Sequence, residues 1–201
     1  MINNIIASSV SFMPKWFIKL FSKSYIAGHE PKEVIDIVKY LNTQGFSATI
    51  DILGEHINSQ EKTFSVTKEY IQLYDDIAKN SVDSNISVKP THIGLDISMD
   101  LALVNFKKLI NKASESSNFL RIDMESSTLT DSTISLYKSC IQKYAKVGTV
   151  FQAYLYRSQT DLEKLSQNGS FNFRLCKGIY KEPPAIAIQG RRKINSNFIK
   201  L

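Results

Sequence analysis

From Pro31 onward, Val34, Ile35, Ile37, Val38 and Leu41 recur at three- and four-residue intervals, which predicts a helix with one buried face. Glu30 and Glu33 suit its positive N-terminal end, and Gly45 stops it. The run Ser47-Ala48-Thr49-Ile50-Asp51-Ile52-Leu53 then reads as a strand ending at Gly54-Glu55. Residues 63–78 predict a second helix, with Val66, Tyr70, Leu73 and Ile77 on one stripe. Residues 85–89 form a second strand, stopped by Pro90. A third helix over 99–113 carries Leu101, Val104, Leu109 and Ile110, and the third strand covers 119–124. The fourth helix spans 131–144 with Thr130 or Asp131 as N-cap, and after Gly148 the fourth strand covers 149–155. A helix over 158–165, with Ser158 as its N-cap, and a turn at Asn168-Gly169 lead into a fifth strand at 172–176. Pro183-Pro184 marks a loop, and the tail from Ala185 is expected to be at most partly helical.

Strands alternating with helices give a parallel sheet, either open and doubly wound or closed as a (β/α)8 barrel. No G-x-G-x-x-G follows the first strand, which weakens the dinucleotide-binding open sheet. Unusual polar residues collect at the C-terminal ends of the strands: Glu55, Lys89, Asp123 with Glu125, Gln152, and Arg174 with Lys177. In a barrel those ends share one face, where active sites lie.

Composition narrows the partners. The net charge of +6 comes from lysines and arginines spread along the chain, without an aromatic-basic motif, so nucleic acid is not an expected partner. The two cysteines, Cys140 and Cys176, make no CxxC, and the histidines His29, His56 and His92 lack zinc spacing. No apolar run reaches the ~20 residues that cross a bilayer. Residues 1–26 are apolar and basic, with Trp16, Phe17, Ile18, Leu20 and Phe21 among Lys15, Lys19 and Lys23. They read as an amphipathic helix packed on the domain, as a membrane-surface contact, or as an acid-free transit peptide.

Each candidate has two readings. Lys89 is either a solvated strand-end lysine or the ligand of an anionic group such as a carboxylate. Arg121 and Asp123 point the same way along a strand. They form either a buried ion pair or a site in which Asp123 orients a cation over a cofactor. Gln152, inside an apolar strand, calls for a polar partner or a heterocycle that satisfies both ends of its amide. Arg174 and Lys177 beside Gly178 offer two cations and a backbone that allows close approach. No Ser-His-Asp or Cys-His arrangement stands out, and Cys176 is expected in the core.

Six segments, in order and in spacing, resemble the proline dehydrogenase catalytic domain. They are Ala27-Gly28 leading into the Pro31 helix, Asp51-Ile52-Leu53-Gly54-Glu55, Ser87-Val88-Lys89-Pro90, Leu120-Arg121-Ile122-Asp123-Met124-Glu125, Phe151-Gln152-Ala153-Tyr154, and Arg174-Leu175-Cys176-Lys177-Gly178-Ile179-Tyr180. The resemblance implies a distorted (β/α)8 barrel over residues 27–201, incomplete at about five βα units. It implies FAD on the C-terminal face and oxidation of L-proline to 1-pyrroline-5-carboxylate, with a quinone taking the electrons. By position, Lys89 would meet the proline carboxylate. Asp123 and Arg174 would be the polar pair beside substrate and flavin. Met124, Gln152, Lys177, Gly178 and Ile179 would contact FAD, and Glu55 would be a gating carboxylate that pairs with an arginine. Cys176 and Ile179 stand where the family commonly has Val and Ala.

The family's later strands, and its helix with a tyrosine and two arginines that clamp the substrate, have no counterpart up to Leu201. Arg191-Arg192-Lys193 read as solvated charge rather than as that clamp. The expectation is therefore two open sheet edges and no unaided proline turnover, in a protein that is cytoplasmic or peripheral on an inner membrane (mitochondrial if eukaryotic). The competing readings are a catalytically dead remnant and an open α/β module that binds a flavin or an anion.

Overall fold

The structure is a computed structural model that describes residues 26–28, 30–167, 169 and 171–201. The expected N-terminal amphipathic segment lies outside the described residues except at its last position, as does Asn168 of the expected turn. Five βα units run in sequence. Helix α1 (Pro31–Thr43) precedes β1 (Ala48–Ile50), α2 (Gln60–Asn80), β2 (Ser84–Val88), α3 (Met99–Glu115) and β3 (Leu120–Ile122). Then follow α4 (Thr130–Ile141), β4 (Val147–Gln152), α5 (Ser158–Ser166), β5 (Asn172–Cys176) and α6 (Arg191–Lys200). Short 3-10 turns, Pro90–Ile93 and Ser127–Leu129, follow β2 and β3.

All four strand pairings are parallel and the sheet order is β1-β2-β3-β4-β5. A doubly wound sheet reverses its strand order at a switch point, whereas a barrel never does. The unbroken order is thus that of the first five units of a (β/α)8 barrel, as expected. Among the described residues β1 and β5 each have one neighbour, so two edges are open.

Alternation along the strands separates an apolar face from a mostly polar one. Ile86, Val88, Leu120, Ile122, Val147 and Phe151 face the helices and belong to the main core with Tyr70, Tyr74, Phe106, Leu109, Leu136 and Tyr137. Helix α2 packs on α1 and α3, and α3 packs on α4, so the helices form one covering layer. The opposite face carries Ser87, Arg121, Asp123, Gly148, Val150, Gln152, Asn172, Arg174 and Cys176. This is the inner wall of the barrel, and it is mostly polar.

Helix starts differ from expectation where side chains found other partners. The Ser59 and Ser98 hydroxyls cap α2 and α3 by accepting the Lys62 and Leu101 N–H groups. Leu129 holds the N-cap position of α4, and Thr130 is its first helical residue. Arg157 precedes α5, while the Ser158 hydroxyl donates to the Gln152 carbonyl at 2.5 Å. The tail is partly helical, as expected: Arg191–Lys200 is a helix anchored by Asn197, which donates to the Ala153 carbonyl at 2.6 Å. Arg191, Arg192 and Lys193 are exposed on it, as solvated charge should be.

Gly148 was expected to end a turn but lies within β4, and its missing side chain makes room for a guanidinium. A Cβ there would stand 2.6 Å from the Phe119 ring, 2.7 Å from Arg121 Nη1 and 2.8 Å from Asn172 Oδ1. Arg121 donates to Asn172 Oδ1 at 2.7 Å and to the Thr149 carbonyl at 3.1 Å across that gap. Gly148→Ala is therefore expected to displace Arg121 and cost about 1–3 kcal/mol, the usual penalty of overpacking. Urea unfolding of the variant checks this, and an unchanged midpoint would show that the wall is not tightly packed there.

Candidate functional site

The polar positions of the five strand ends gather on the inner wall and in the loops beyond it. Asp123 follows β3, and its N–H donates to the Val88 carbonyl at 2.9 Å, extending the β2–β3 ladder by one bond. Its carboxylate Oδ1 accepts from the Ser87 hydroxyl at 2.6 Å and from Arg174 Nη2 at 2.7 Å. The partner of Asp123 is thus Arg174, two strands away, and Arg121 bonds elsewhere. The ion pair considered between Arg121 and Asp123 does not form. The Arg174 side chain remains 46% exposed although paired, so its other donors face open space.

Lys89 donates to Asp51 Oδ2 at 3.2 Å and is about one-fifth exposed. It therefore sits in an ion pair at the β1–β2 mouth rather than free in solvent. Glu55, in the loop after β1, accepts from the Tyr180 hydroxyl at 3.1 Å, which bridges the two ends of the sheet. Tyr180 is thus the hydrogen-bond partner of Glu55 among the described residues. Burial raises the Tyr180 pKa, so the phenol stays a donor.

Gln152 is 2% exposed, and its amide nitrogen donates to the Glu125 carbonyl at 2.7 Å, so the polar partner it required is protein backbone. Met124 is also buried. Ile179, by contrast, is 89% exposed, an apolar side chain held in open space at the mouth. The Lys177 ammonium lies 5.9 Å from the centre of the Phe198 ring on α6. Gly178 has φ +105°, and a Cβ on it would collide with the Tyr154 ring. Glycine is required there for both reasons. Cys176 is only half-buried and faces the wall rather than the helix core, and burial raises its thiol pKa.

Glu182, Ser127 and Thr91 gave no signal in the sequence, and the partner of Glu125 was not legible there either. Glu182 accepts the Ser127 N–H at 2.7 Å and the Ser127 hydroxyl at 2.6 Å, tying the loop after β5 to the loop after β3. Thr91 donates from its N–H to Glu125 at 2.9 Å and from its hydroxyl at 2.5 Å. Glu125 is 0% exposed, and burial raises its pKa while the Thr91 bonds oppose the shift. These contacts join loops far apart in sequence, so no local pattern encodes them.

Glu125→Ala should be costly, because it leaves the N–H and O–H of buried Thr91 without an acceptor. About 2–4 kcal/mol is expected, and Glu125→Gln, which keeps one acceptor oxygen, should cost less. Equal, small shifts for both variants in urea unfolding would contradict this account.

The family model described as Proline dehydrogenase matches residues 34–188. The chain is 36% identical over 190 residues to Proline dehydrogenase 1 of Bacillus subtilis subsp. natto, covering 94% of this chain and 63% of that protein. It is 30% identical over 185 residues to Proline dehydrogenase of Deinococcus radiodurans, covering 90% of this chain and 59% of the relative. The chain thus spans somewhat less than two thirds of the length of these relatives. The crystal structure of proline utilization A from Bdellovibrio bacteriovorus, inactivated by N-propargylglycine, superimposes with a TM-score of 0.69 at 24% identity. It covers 76% of this chain and 20% of that one. At that identity the likeness speaks for the fold.

Proposed function

The chain belongs to the proline dehydrogenase family, and from that premise we propose that its strand-end face, within one domain over residues 27–201, serves the FAD-dependent oxidation of L-proline to 1-pyrroline-5-carboxylate. The observation that carries the reading is the Asp123–Arg174 pair on the inner wall, whose guanidinium is held at 2.7 Å yet half-exposed. A cation fixed by a carboxylate and left open on one side is suited to negative charge developing on a bound ring.

The residues present fit a flavin. Arg174 and Lys177 supply cations, and Gly178 presents bare backbone, its one blocked side being filled by Tyr154. Exposed Ile179 offers an apolar surface for a ring to cover. Bound there, the flavin would supply the redox chemistry by accepting a hydride equivalent. The protein's part is positioning. Lys89, now on Asp51, would hold the substrate carboxylate, and Asp123 would fix the Arg174 guanidinium toward the bound flavin. Met124 and Gln152, both buried, would shape the β3 and β4 ends on which the flavin would lie. Glu55, with Tyr180, closes the mouth.

A quinone is the proposed electron acceptor, reached through contact with a membrane surface. No described helix is long and apolar enough to cross a membrane. The test is the visible spectrum of the protein with FAD, taken without air, before and after L-proline. A flavin band that bleaches supports the whole reading. A bound band that persists retains the flavin site and is the result expected where the substrate clamp is missing, and failure to bind FAD overturns the reading.

A further inference from the structure

Glu55, His56 and Glu125 each offer one ligand atom, and these atoms all lie within 4.8 Å of one another. We propose that they form a site for a first-row divalent ion, Zn2+ being the one best suited to an imidazole and two carboxylates. The site shares Glu55 with the function proposed above, but it needs neither flavin nor proline to bind an ion.

Three features support it beyond proximity. First, the ligands are held before any ion arrives. Buried Thr91 accepts the His56 N–H on its hydroxyl oxygen at 2.9 Å and donates to both oxygens of Glu125. The β1 loop that carries Glu55 and His56 is further tied by the Ile57 N–H, which donates to the Thr91 carbonyl at 3.2 Å. Second, the His56 ring is oriented by a carboxylate outside the ligand set. Nδ1 of His56 lies 2.8 Å from Asp96 Oδ2, and Nε2 has no partner among the described residues. Metal-bound histidines are commonly steered by such an outer carboxylate, whose loss weakens binding about 10–100-fold.

Third, three carboxylates, Glu55, Glu125 and Asp96, surround His56, and among the described residues no lysine or arginine bonds to any of the three. Glu125 is 0% exposed, its hydrogen bonds come from the neutral Thr91, and the one cation nearby is the His56 imidazole when protonated. A buried carboxylate in that setting is expensive unless a cation joins it. A dication held by Glu55 and Glu125 would balance both charges. It would also compete with the Tyr180 hydroxyl for Glu55, bracing the β1 loop against the β3 loop at the mouth.

Calorimetric titration of the chelator-treated chain with Zn2+ alone tests the site. One equivalent should bind with micromolar affinity, and His56→Gln and Asp96→Asn should each weaken it by about tenfold or more. Both residues lie at the surface, and circular dichroism will show whether the variants are folded. As a measurement that needs no variant, Zn2+ should slow acylation of His56 by diethylpyrocarbonate, read by mass spectrometry. No uptake at millimolar Zn2+, uptake unchanged in folded His56→Gln, or an unaltered acylation rate at His56 overturns the proposal.

Discussion

Replacing Asp123 by alanine is expected to slow proline-dependent flavin reduction by about 10²–10³-fold in the flavin-loaded protein with its substrate clamp present, the scale of losing one fixed charge-stabilising contact. Asp123 is the common acceptor of the Ser87 hydroxyl and of Arg174, both on Oδ1. Without it the guanidinium, already 46% exposed, would turn to solvent and would no longer be fixed on the inner wall. The stability cost should be modest by comparison, because a half-exposed arginine is readily hydrated. Only the buried Ser87 hydroxyl loses an acceptor, about 1–3 kcal/mol. Asp123→Asn should recover most of the stability and little of the rate, since an amide accepts the Ser87 bond but does not hold a cation. Stopped-flow bleaching and urea unfolding of both variants separate the two effects. An unchanged reduction rate in Asp123→Ala would remove this pair from the proposed site.

The largest expected effect on folding is at Gly178. Gly178→Ala meets two penalties at once: a φ of +105° that side chains rarely adopt, and a methyl placed inside the Tyr154 ring. Backbone strain of about 1–3 kcal/mol and overpacking of similar size suggest a loss of about 2–5 kcal/mol. The damage would spread, because the Tyr154 N–H donates to the Lys177 carbonyl at 3.0 Å and the Ala153 N–H to the Cys176 carbonyl at 2.7 Å. These bonds hold the β4 and β5 ends together, so FAD affinity should fall with stability. A melting temperature lowered by about 2–4 °C per kcal/mol is the readout. Wild-type melting together with wild-type FAD binding would show that Tyr154 moves aside freely.

The order of elements was legible because each depends on a short repeat. Val66, Tyr70, Leu73 and Ile77 face the core at helical spacing, and every expected strand appears, although β1 and β3 are only three residues long. The ends were less legible. Side-chain capping is a local competition, and at Ser158 a tertiary acceptor, the Gln152 carbonyl, won it. The same holds for the tail, whose helix depends on Asn197 reaching the β4 end, a contact that no periodicity records.

By itself, then, the sequence determined the alternation of strands and helices, the parallel sheet, the family resemblance and the clustering of Lys89, Asp123, Gln152 and Arg174 at strand ends. All of these follow from periodicity and from position within a unit. Which polar group meets which was decided by the tertiary structure alone. Strand register brings β5 alongside β4 and sets Arg174 against Asp123 rather than leaving Asp123 to Arg121. Loop packing brings Tyr180 to Glu55 across 125 positions of chain, and Thr91 to Glu125 across 34. Ion pairs and hydrogen bonds act over a few ångströms of space, and the chain's own order says little about which residues will come that close.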